Sequence, residues 1–254
     1  MKGKEVFRGP ELKLQRAETH IIELRVLVRR FVKAQVYKIV ADFERDPGYI
    51  CWVVHGEDLF PHDEFAPIIG DVIHNLRDAL DLAVSVIMRN AQESDDNVYF
   101  PTADTPNAFK RKIARGKRKP HFPHDLVNVL ETRIQPYKGG EGHLLHTLHK
   151  LAITDKHRMI VPTVFGTTDV AISTEGMTLP FYTGATPLPI RDGGVFARTL
   201  ASEFPQITVN QEATVTLSIS FYHADRLDVL PIDDALRWLY RVTEEAVDAM
   251  RLCL

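Results

Sequence analysis

The sequence has few cysteines and no long apolar run. Two cysteines, Cys51 and Cys253, occur among 254 residues, so no disulfide framework is expected, and neither residue has the spacing of a zinc motif. The apolar runs are far too short to span a membrane, and the first ten residues lack the apolar stretch of a signal peptide. We therefore expect a cytoplasmic protein without a membrane partner.

Common catalytic and nucleotide-binding motifs are also missing. The sequence has no glycine-rich phosphate loop, no Gly-x-Ser-x-Gly elbow and no His-Glu-x-x-His motif. Neither cysteine lies in a stretch that would activate it as a nucleophile. These absences argue against the main hydrolase and nucleotide-binding folds, and we predict no cofactor and no metal.

The overall composition is that of an ordinary soluble globular protein. Hydrophobic residues make up 44% of the chain and charged residues 26%, with a formal net charge of −3. This length and composition are sufficient for a sizeable core. The net charge by itself indicates no class of partner, and the oligomeric state, including a homo-oligomer, is left open.

Hydrophobic periodicity predicts a single α+β domain over residues 1–254. A helix at Glu11–Phe31 precedes a β-hairpin at 33–56, in which Asp46-Pro47-Gly48 suits a type II turn. A helical part at about 60–155 is then inserted between this hairpin and a β-rich part at 159–222, and a C-terminal helix covers 231–253. We expect the hairpin and the later strands to form one antiparallel sheet.

Within this fold, the helical core is expected to surround a central buried helix at about 67–89 and to pack with the sheet. Shorter helices are predicted at Ala108–Ile113, Asp125–Ile134 and Gly142–Ile153. The stretch Met177–Gly194, which holds three prolines and three glycines, is expected to be an irregular excursion.

The stretch Ile69–Ile87 carries both an apolar stripe and a column of polar residues. At 100° per residue, eight apolar side chains fall on one face: Ile69, Val72, Ile73, Leu76, Leu80, Ala83, Val84 and Ile87. Gly70, His74, Arg77 and Asp81 follow one another along the edge of that face. This pattern predicts a packed helix that presents ionisable groups beside its buried side.

The polar column is the first candidate site. Histidine transfers protons near neutral pH and a guanidinium binds phosphate, so His74 and Arg77 are candidates for catalysis. A second cluster, Asp155-Lys156-His157-Arg158, follows the helix at Gly142–Ile153, and its His157 and Arg158 are candidates to meet this column. The candidate catalytic set is His74, Arg77, Asp78 and His157, with a polar network of Asp71, Asn75, Asp81, Asp155 and Arg158.

A structural interpretation competes with the catalytic one. An Arg77–Asp81 pair one turn apart contributes only a few tenths of a kcal/mol when exposed, and structural ion-pair networks produce similar clusters. The basic residues of the second cluster also complement a helix C-terminus without any function. His143, His146 and His149 recur every three residues, and the drift of about 60° per step turns the first away from the last, which disfavours a metal site.

The densest charge run is Lys110–Lys119, which contains seven basic residues in ten and no acid. Runs of this kind are commonly solvated loops, but they also neutralise phosphates. The candidate nucleic-acid-binding set is Lys110, Arg111, Lys112, Arg115, Lys117, Arg118 and Lys119. RNA is therefore a candidate partner, and the rings that follow the run, those of His121, Phe122 and His124, are candidates to stack on bases.

Several short motifs together resemble a family of uncharacterised bacterial proteins. The matching pieces are Gly70-Asp71, His74-Asn75-Leu76-Arg77, Ala79-Leu80-Asp81 and Asp155-Lys156-His157-Arg158, with Phe100-Pro101 and Gln135-Pro136-Tyr137. The family form of the helix is similar to the Arg-x4-His signature of HEPN ribonucleases, in which Arg binds RNA phosphate and His acts as acid and base. Here Arg77 fits the first position, but Leu82 occupies the second.

Three functions follow as hypotheses. The resemblance implies a HEPN-like, RNA-directed factor with a defence or toxin role, and any activity would be that of a metal-independent endoribonuclease, with lapsed catalysis as an alternative because of Leu82. The second hypothesis is a structural or interaction protein with a buried polar network, fully satisfied and without a cleft beside it. The third is a small-molecule binder or enzyme with a His/Asp site made of His74, Asp78 and His157, in a pocket under the sheet. This hypothesis requires an apolar-lined pocket that reaches those three residues.

Overall fold

The structure is a computed structural model of the chain. It describes residues 7–34, 38–55, 62–114, 121–157, 163–166, 171–174, 177–180, 192–208, 212–213, 217–221, 227 and 230–254. The described helices are α1 (Arg8–Ala34), α2 (His62–Asn90), α3 (Pro106–Ile113), α4 (His124–Val129), α5 (His143–His157) and α6 (Ile232–Arg251). A π-helical turn at Leu130–Ile134 continues α4, and a 3₁₀ turn covers Ala201–Glu203.

The strands form three antiparallel sheets in the described part of the chain. They are β1 (Lys38–Asp42), β2 (Tyr49–His55), β3 (Thr163–Gly166), β4 (Ala171–Thr174), β5 (Met177–Pro180), β6 (Val195–Leu200), β7 (Glu212–Ala213) and β8 (Leu217–Ser220). The largest sheet has the strand order β6-β2-β1-β7, and β3 pairs with β8 and β4 with β5. The predicted α+β class is confirmed. The early hairpin shares an antiparallel sheet with β6 and β7, but the prediction of one sheet for all later strands is wrong, because the other four pair in two separate sheets.

The chain divides into two compact units, each built from separate stretches. One, the helical unit, gathers Met1–Leu24, Ala66–Ile160 and Asp233–Leu254; the other, the sheet unit, gathers Arg25–Phe65 and Val161–Ile232. The single-domain organisation and the packing of the α2 helix on the sheet both remain predictions. Among the described residues, no helix is long and apolar enough to cross a membrane.

The core of the helical unit contains the predicted apolar stripe of α2. All eight stripe residues, from Ile69 to Ile87, are at most 1% exposed. Helix α2 begins at His62, five residues before Pro67, so this proline lies inside the helix rather than at its first turn as predicted. The ends of the unit are also joined, because Arg251 Nη2 donates to Glu11 Oε1 at 2.8 Å and the Arg251 guanidinium lies over the Phe7 ring.

The core of the sheet unit is formed by the inward faces of the hairpin. Alternate residues on β1 and β2 are buried together: Ile39, Ala41, Ile50, Trp52 and Val54. Gly48 has φ +89° and Tyr49 N donates to Asp46 O at 3.0 Å, as the predicted type II turn requires. Cys51 and Val53, on the other face of β2, are also fully buried, which simple alternation does not predict.

Two element predictions need correction. Met177–Gly194 is not wholly irregular, because Met177–Pro180 forms β5 and pairs with Ala171–Thr174. The helix predicted at Asp125–Ile134 is α-helical only to Val129 and ends in a π-helical turn, after which Gln135 takes a left-handed conformation (φ 49°). A π-helical turn contains one more residue than an α-helical turn, and a hydrophobic pattern with a period of 3.6 residues does not distinguish the two.

Candidate functional site

The helical unit contains a cavity of about 780 Å³. Its walls come from α2, α3, α5, the segment 97–101 between α2 and α3, and Phe122 just before α4. The lining residues are His74, Arg77, Asp78, Asp81, Asn97, Tyr99, Phe100, Pro101, Ala108, Arg111, Lys112, Phe122, His149, Ala152, Ile153 and Lys156. The volume is in the range of pockets that hold small organic molecules.

Helical periodicity explains which side chains line this cavity. Helix α2 contributes residues 74, 77, 78 and 81, and α5 contributes 149, 152, 153 and 156. Both sets follow the i, i+3, i+4, i+7 spacing that places side chains on one helix face. Helix α3 contributes residues 108, 111 and 112, which also share one helix face. Its first turn is capped by Thr105, whose side chain accepts a hydrogen bond from Ala108 N at 3.1 Å.

Arg77 is the most buried charged group of the cavity wall, being only 8% exposed. Its Nε and Nη2 donate to Asp81 at 3.3 and 2.8 Å, and Nη2 also donates to Phe100 O at 2.8 Å. Its Nη1 is buried and has no hydrogen-bond partner among the described residues. Burial lowers the pKa of the Arg77 guanidinium and raises that of the Asp81 carboxyl, although their mutual attraction opposes both shifts.

The segment 97–101 is fixed to α2 by the same ion pair. Asp81 Oδ1 accepts a hydrogen bond from Phe100 N at 2.7 Å, and the Arg77 guanidinium lies 5.8 Å from the centre of the Phe100 ring. On the other side, Lys112 Nζ donates to Thr102 O at 3.1 Å. The Phe100-Pro101 pair is thereby held against Arg77 as a wall of the cavity.

His74 is bonded to a carboxylate from another helix. Its Nε2 lies 2.9 Å from Asp155 Oδ2, and the Asp155 side chain is only 15% exposed. This approach depends on Gly70, because a Cβ at that position would lie 2.7 Å from Asp155 Oδ2. The glycine therefore makes room on α2 for the carboxylate of α5.

His149 faces the cavity as a neutral imidazole. Burial, followed by the charges of Arg77 and Lys112, lowers its pKa to about 4. No hydrogen bond to His149 is found in the part of the chain that the structure describes. Burial and the Arg77 charge also lower the pKa of the Lys112 ammonium. The side chains of Arg77, Lys112 and His149 are therefore close enough for electrostatic interaction.

The cavity lining carries an excess of positive charge. Four cationic side chains (Arg77, Arg111, Lys112, Lys156) face two carboxylates (Asp78, Asp81). Both carboxylates are already engaged, since Asp78 Oδ2 accepts from Lys13 Nζ at 2.7 Å and Asp81 is bonded to Arg77. An anionic ligand suits this lining.

Other predicted site residues lie elsewhere or outside the description. Asp71 lies 3.8 Å from His20 Nε2 and Asn75 donates to Asp71 O, so neither lines the cavity. Lys110 is exposed and does not line the cavity. Five predicted residues lie outside the described residues: Arg115, Lys117, Arg118, Lys119 and Arg158. The backbone of His157 is described as part of α5, but its side chain is not.

Two other histidines of α5, His143 and His146, have local partners. His146 Nε2 lies 3.0 Å from Asp104 Oδ1, and His143 Nδ1 accepts a hydrogen bond from Gly139 N at 3.0 Å. Within the described ranges, no group of three or more His, Cys, Asp or Glu side chains has the geometry of a metal site. His149 points to the cavity instead, which sequence spacing alone did not indicate.

Several cavity residues were missed at the sequence level. Tyr99, Asn97 and Ile153 were not candidates, and His149 was considered only as a metal ligand. The 149, 152, 153, 156 spacing is a signal for one face of α5, but it does not reveal that this face borders a cavity. Comparisons of the chain with protein-family models, with curated proteins and with solved structures yield no match.

Proposed function

We propose that the chain binds a small organic phosphate in this cavity. The observation that carries the proposal is the buried Arg77, whose Nη1 has no protein partner in the described residues and which lines a cavity of about 780 Å³. A buried charged donor without a partner costs free energy, and an anion in the cavity that Arg77 lines would compensate the charge of the guanidinium.

The charge and the walls of the cavity define the class of ligand. The excess of two positive charges in the lining matches a phosphate monoester, which carries close to two negative charges at neutral pH. The apolar part of the wall, including Tyr99, Phe122 and Ile153, suits an apolar or aromatic body attached to the phosphate.

A purely structural network fits less well. That hypothesis requires the polar column to be fully satisfied by protein groups and to have no cleft beside it. Here His74, Arg77 and Asp78 all line a cavity, and one nitrogen of Arg77 lacks a partner among the described residues. These two observations favour a ligand over a scaffold.

RNA is the second candidate ligand, and one observation supports it. Arg111 and Lys112, two members of the basic run, line the cavity. The hypothesis of a HEPN-like ribonuclease is less well supported. Leu82 stands where the Arg-x4-His signature has His, and Leu82 is not among the residues that line the cavity. Leu82 Cδ1 instead lies 3.7 Å from the point that a Cβ on Gly9 would occupy.

The proposal can be tested by calorimetric titration with 1-naphthyl phosphate. Its neutral counterpart 1-naphthol tests the need for charge, and single-stranded RNA tests the second candidate. Lys112→Gln removes a cation from the wall without touching Arg77, whereas Lys110→Gln removes the same charge from the exposed side of α3. Arg77→Met is the stronger perturbation, and its fold is checked by circular dichroism.

We expect saturable binding of 1-naphthyl phosphate and much weaker binding of 1-naphthol. Lys112→Gln should weaken binding of the phosphate by roughly 10- to 150-fold, since a charge-assisted hydrogen bond contributes roughly 1.5–3 kcal/mol, while Lys110→Gln should leave the affinity unchanged. Equal losses in both lysine variants, together with salt-dependent RNA binding, would favour the RNA candidate. Failure of wild type to bind the phosphate would refute the proposal.

A further inference from the structure

We propose that the cavity is an active site in which His74, oriented by Asp155, transfers a proton during hydrolysis of the bound phosphate ester. This inference rests on the proposed function, since it requires the phosphate to be held at Arg77. It assigns His74 as a catalytic residue, and it assigns Asp155 and Gly70 as positioning residues. It also names a reaction, hydrolysis of a phosphate monoester to an alcohol and inorganic phosphate.

The first step is the relative placement of the two groups on α2. His74 and Arg77 lie three residues apart on one helix face, which separates them by about 4.5 Å along the helix axis. Both line the same cavity. An anion on the Arg77 guanidinium therefore comes within one helical turn of the imidazole.

The second step is the orientation of the imidazole. Asp155 Oδ2 lies 2.9 Å from Nε2 and is mostly shielded from solvent. A carboxylate at this distance accepts the Nε2 proton, which leaves Nδ1 with a lone pair for the proton of a reacting water. The Asp155 carboxylate and the ring thus form the pair that general-base catalysis uses.

The third step is the free-energy cost of having a glycine at position 70. A helix with a purely structural role does not need a glycine there. Glycine in a helix interior is less favourable than alanine by roughly 1 kcal/mol. Gly70 nevertheless lies inside α2, at the edge of the buried stripe, and any Cβ there would lie 2.7 Å from Asp155 Oδ2. The absent side chain preserves the hydrogen bond to His74.

The reaction balances with water as the only co-reactant. The oxygen of a water molecule forms a bond to phosphorus while the ester P–O bond breaks, and the electron pair of that bond leaves on the ester oxygen. His74 Nδ1 takes one proton from the water and returns it to the leaving oxygen. The products are the alcohol and hydrogen phosphate, and the imidazole regains its starting form.

The experiment pairs a substrate with an analogue that cannot react. 4-Nitrophenyl phosphate reports turnover by release of coloured nitrophenolate, and 4-nitrobenzylphosphonate, whose carbon–phosphorus bond resists hydrolysis, reports binding alone. The variants are His74→Gln and Asp155→Asn. The matched control is His124→Gln, which removes an exposed histidine that also lies beside a carboxylate, 3.7 Å from Asp125.

We expect wild type to bind the phosphonate and to hydrolyse the ester. His74→Gln should lower kcat about 100-fold, because a general base usually contributes about that factor or more. The affinity for the phosphonate should change little. Asp155→Asn should lower kcat by about tenfold or more and alter the pH profile without raising KM, because it misorients the base. His124→Gln should leave both measurements unchanged.

The two levels of the proposal fail differently. Absence of phosphonate binding by wild type would refute the binding function itself. Phosphonate binding without any turnover by wild type would leave the binding function standing and overturn the catalytic role. Turnover that survives His74→Gln unchanged would also overturn it, whatever the effect of Asp155→Asn.

Discussion

Replacement of Gly70 by alanine tests the geometry on which the candidate site depends. In an ordinary helix interior, this change stabilises a protein by roughly 1 kcal/mol, because alanine has the higher helix propensity. At Gly70 the added Cβ would lie 2.7 Å from Asp155 Oδ2 and 3.3 Å from Asp155 Cγ. The carboxylate must retreat by about 0.7 Å to reach ordinary van der Waals contact, which begins near 3.4 Å.

This displacement also affects the bond to His74. The His74 Nε2–Asp155 Oδ2 distance is 2.9 Å, so a retreat along the bond would lengthen it to about 3.6 Å, where no hydrogen bond remains. Overpacking costs about 1–3 kcal/mol, and loss of a partly exposed charged hydrogen bond costs roughly 1 kcal/mol or more. After subtraction of the helix-propensity gain, we expect Gly70→Ala to lower the free energy of unfolding by about 2 kcal/mol.

The assay is urea denaturation of matched variants, followed by circular dichroism. Gly9→Ala on α1 is the control, because its Cβ would meet only Leu82 Cδ1 at 3.7 Å. That change should be neutral or stabilising by a few tenths of a kcal/mol. Asp155→Ala removes the obstructing carboxylate, so Gly70→Ala should be far less harmful in that background, with a coupling energy of at least about 1 kcal/mol. If Gly70→Ala stabilises the protein as Gly9→Ala does, the close approach of α2 and α5 is wrong.

Three further predictions concern the cavity and the sheet core. Arg77→Met should lower the free energy of unfolding by about 3 kcal/mol in denaturant titrations, because Asp81 then remains buried without its cation; an unchanged midpoint would contradict the ion pair. The pKa of His149 is lowered from 6.5 to about 4, so stability should fall as the pH drops through this window while the unfolded chain alone takes up the proton. His149→Gln should flatten that part of the pH–stability curve, and an identical slope in both proteins would exclude the effect. Thr199→Val should cost about 1–2 kcal/mol, because Trp52 Nε1 loses its buried acceptor at 3.2 Å; fluorescence-monitored unfolding measures this, and a stability equal to wild type would show that the bond contributes nothing.

Local patterns in the sequence predict the elements of this fold well. The α2 stripe and the hairpin turn at Gly48 both follow from side-chain periodicity and from the backbone preferences of glycine. The start of α2 is less predictable, because Pro67 is a common first-turn residue yet lies in the sixth position of the helix. The burial of Cys51 on the second face of β2 depends on what covers that face of the sheet. The alternation of apolar and polar residues along one strand does not indicate this.

The candidate site is only partly visible in the sequence for a different reason. The polar column identifies His74 and Arg77, since their spacing is set by one helix. The partnership of His74 with Asp155 joins residues 81 positions apart, and spacing along the chain carries no information about such a distance. His149 likewise becomes a cavity residue only through the packing of α5, and its lowered pKa is a product of burial rather than of its neighbours in sequence.

The discontinuous make-up of the helical unit has a consequence for synthesis and truncation. Every cavity-lining residue lies between His74 and Lys156, yet the unit also requires α1 and α6, which the Glu11–Arg251 ion pair holds together. At about 5–20 residues per second, the ribosome makes α1 more than ten seconds before α6, and the apolar face of α1 stays without this partner during that time. A nascent chain or a deletion variant that lacks Ile232–Arg251 therefore contains the whole cavity wall but cannot complete the core behind it.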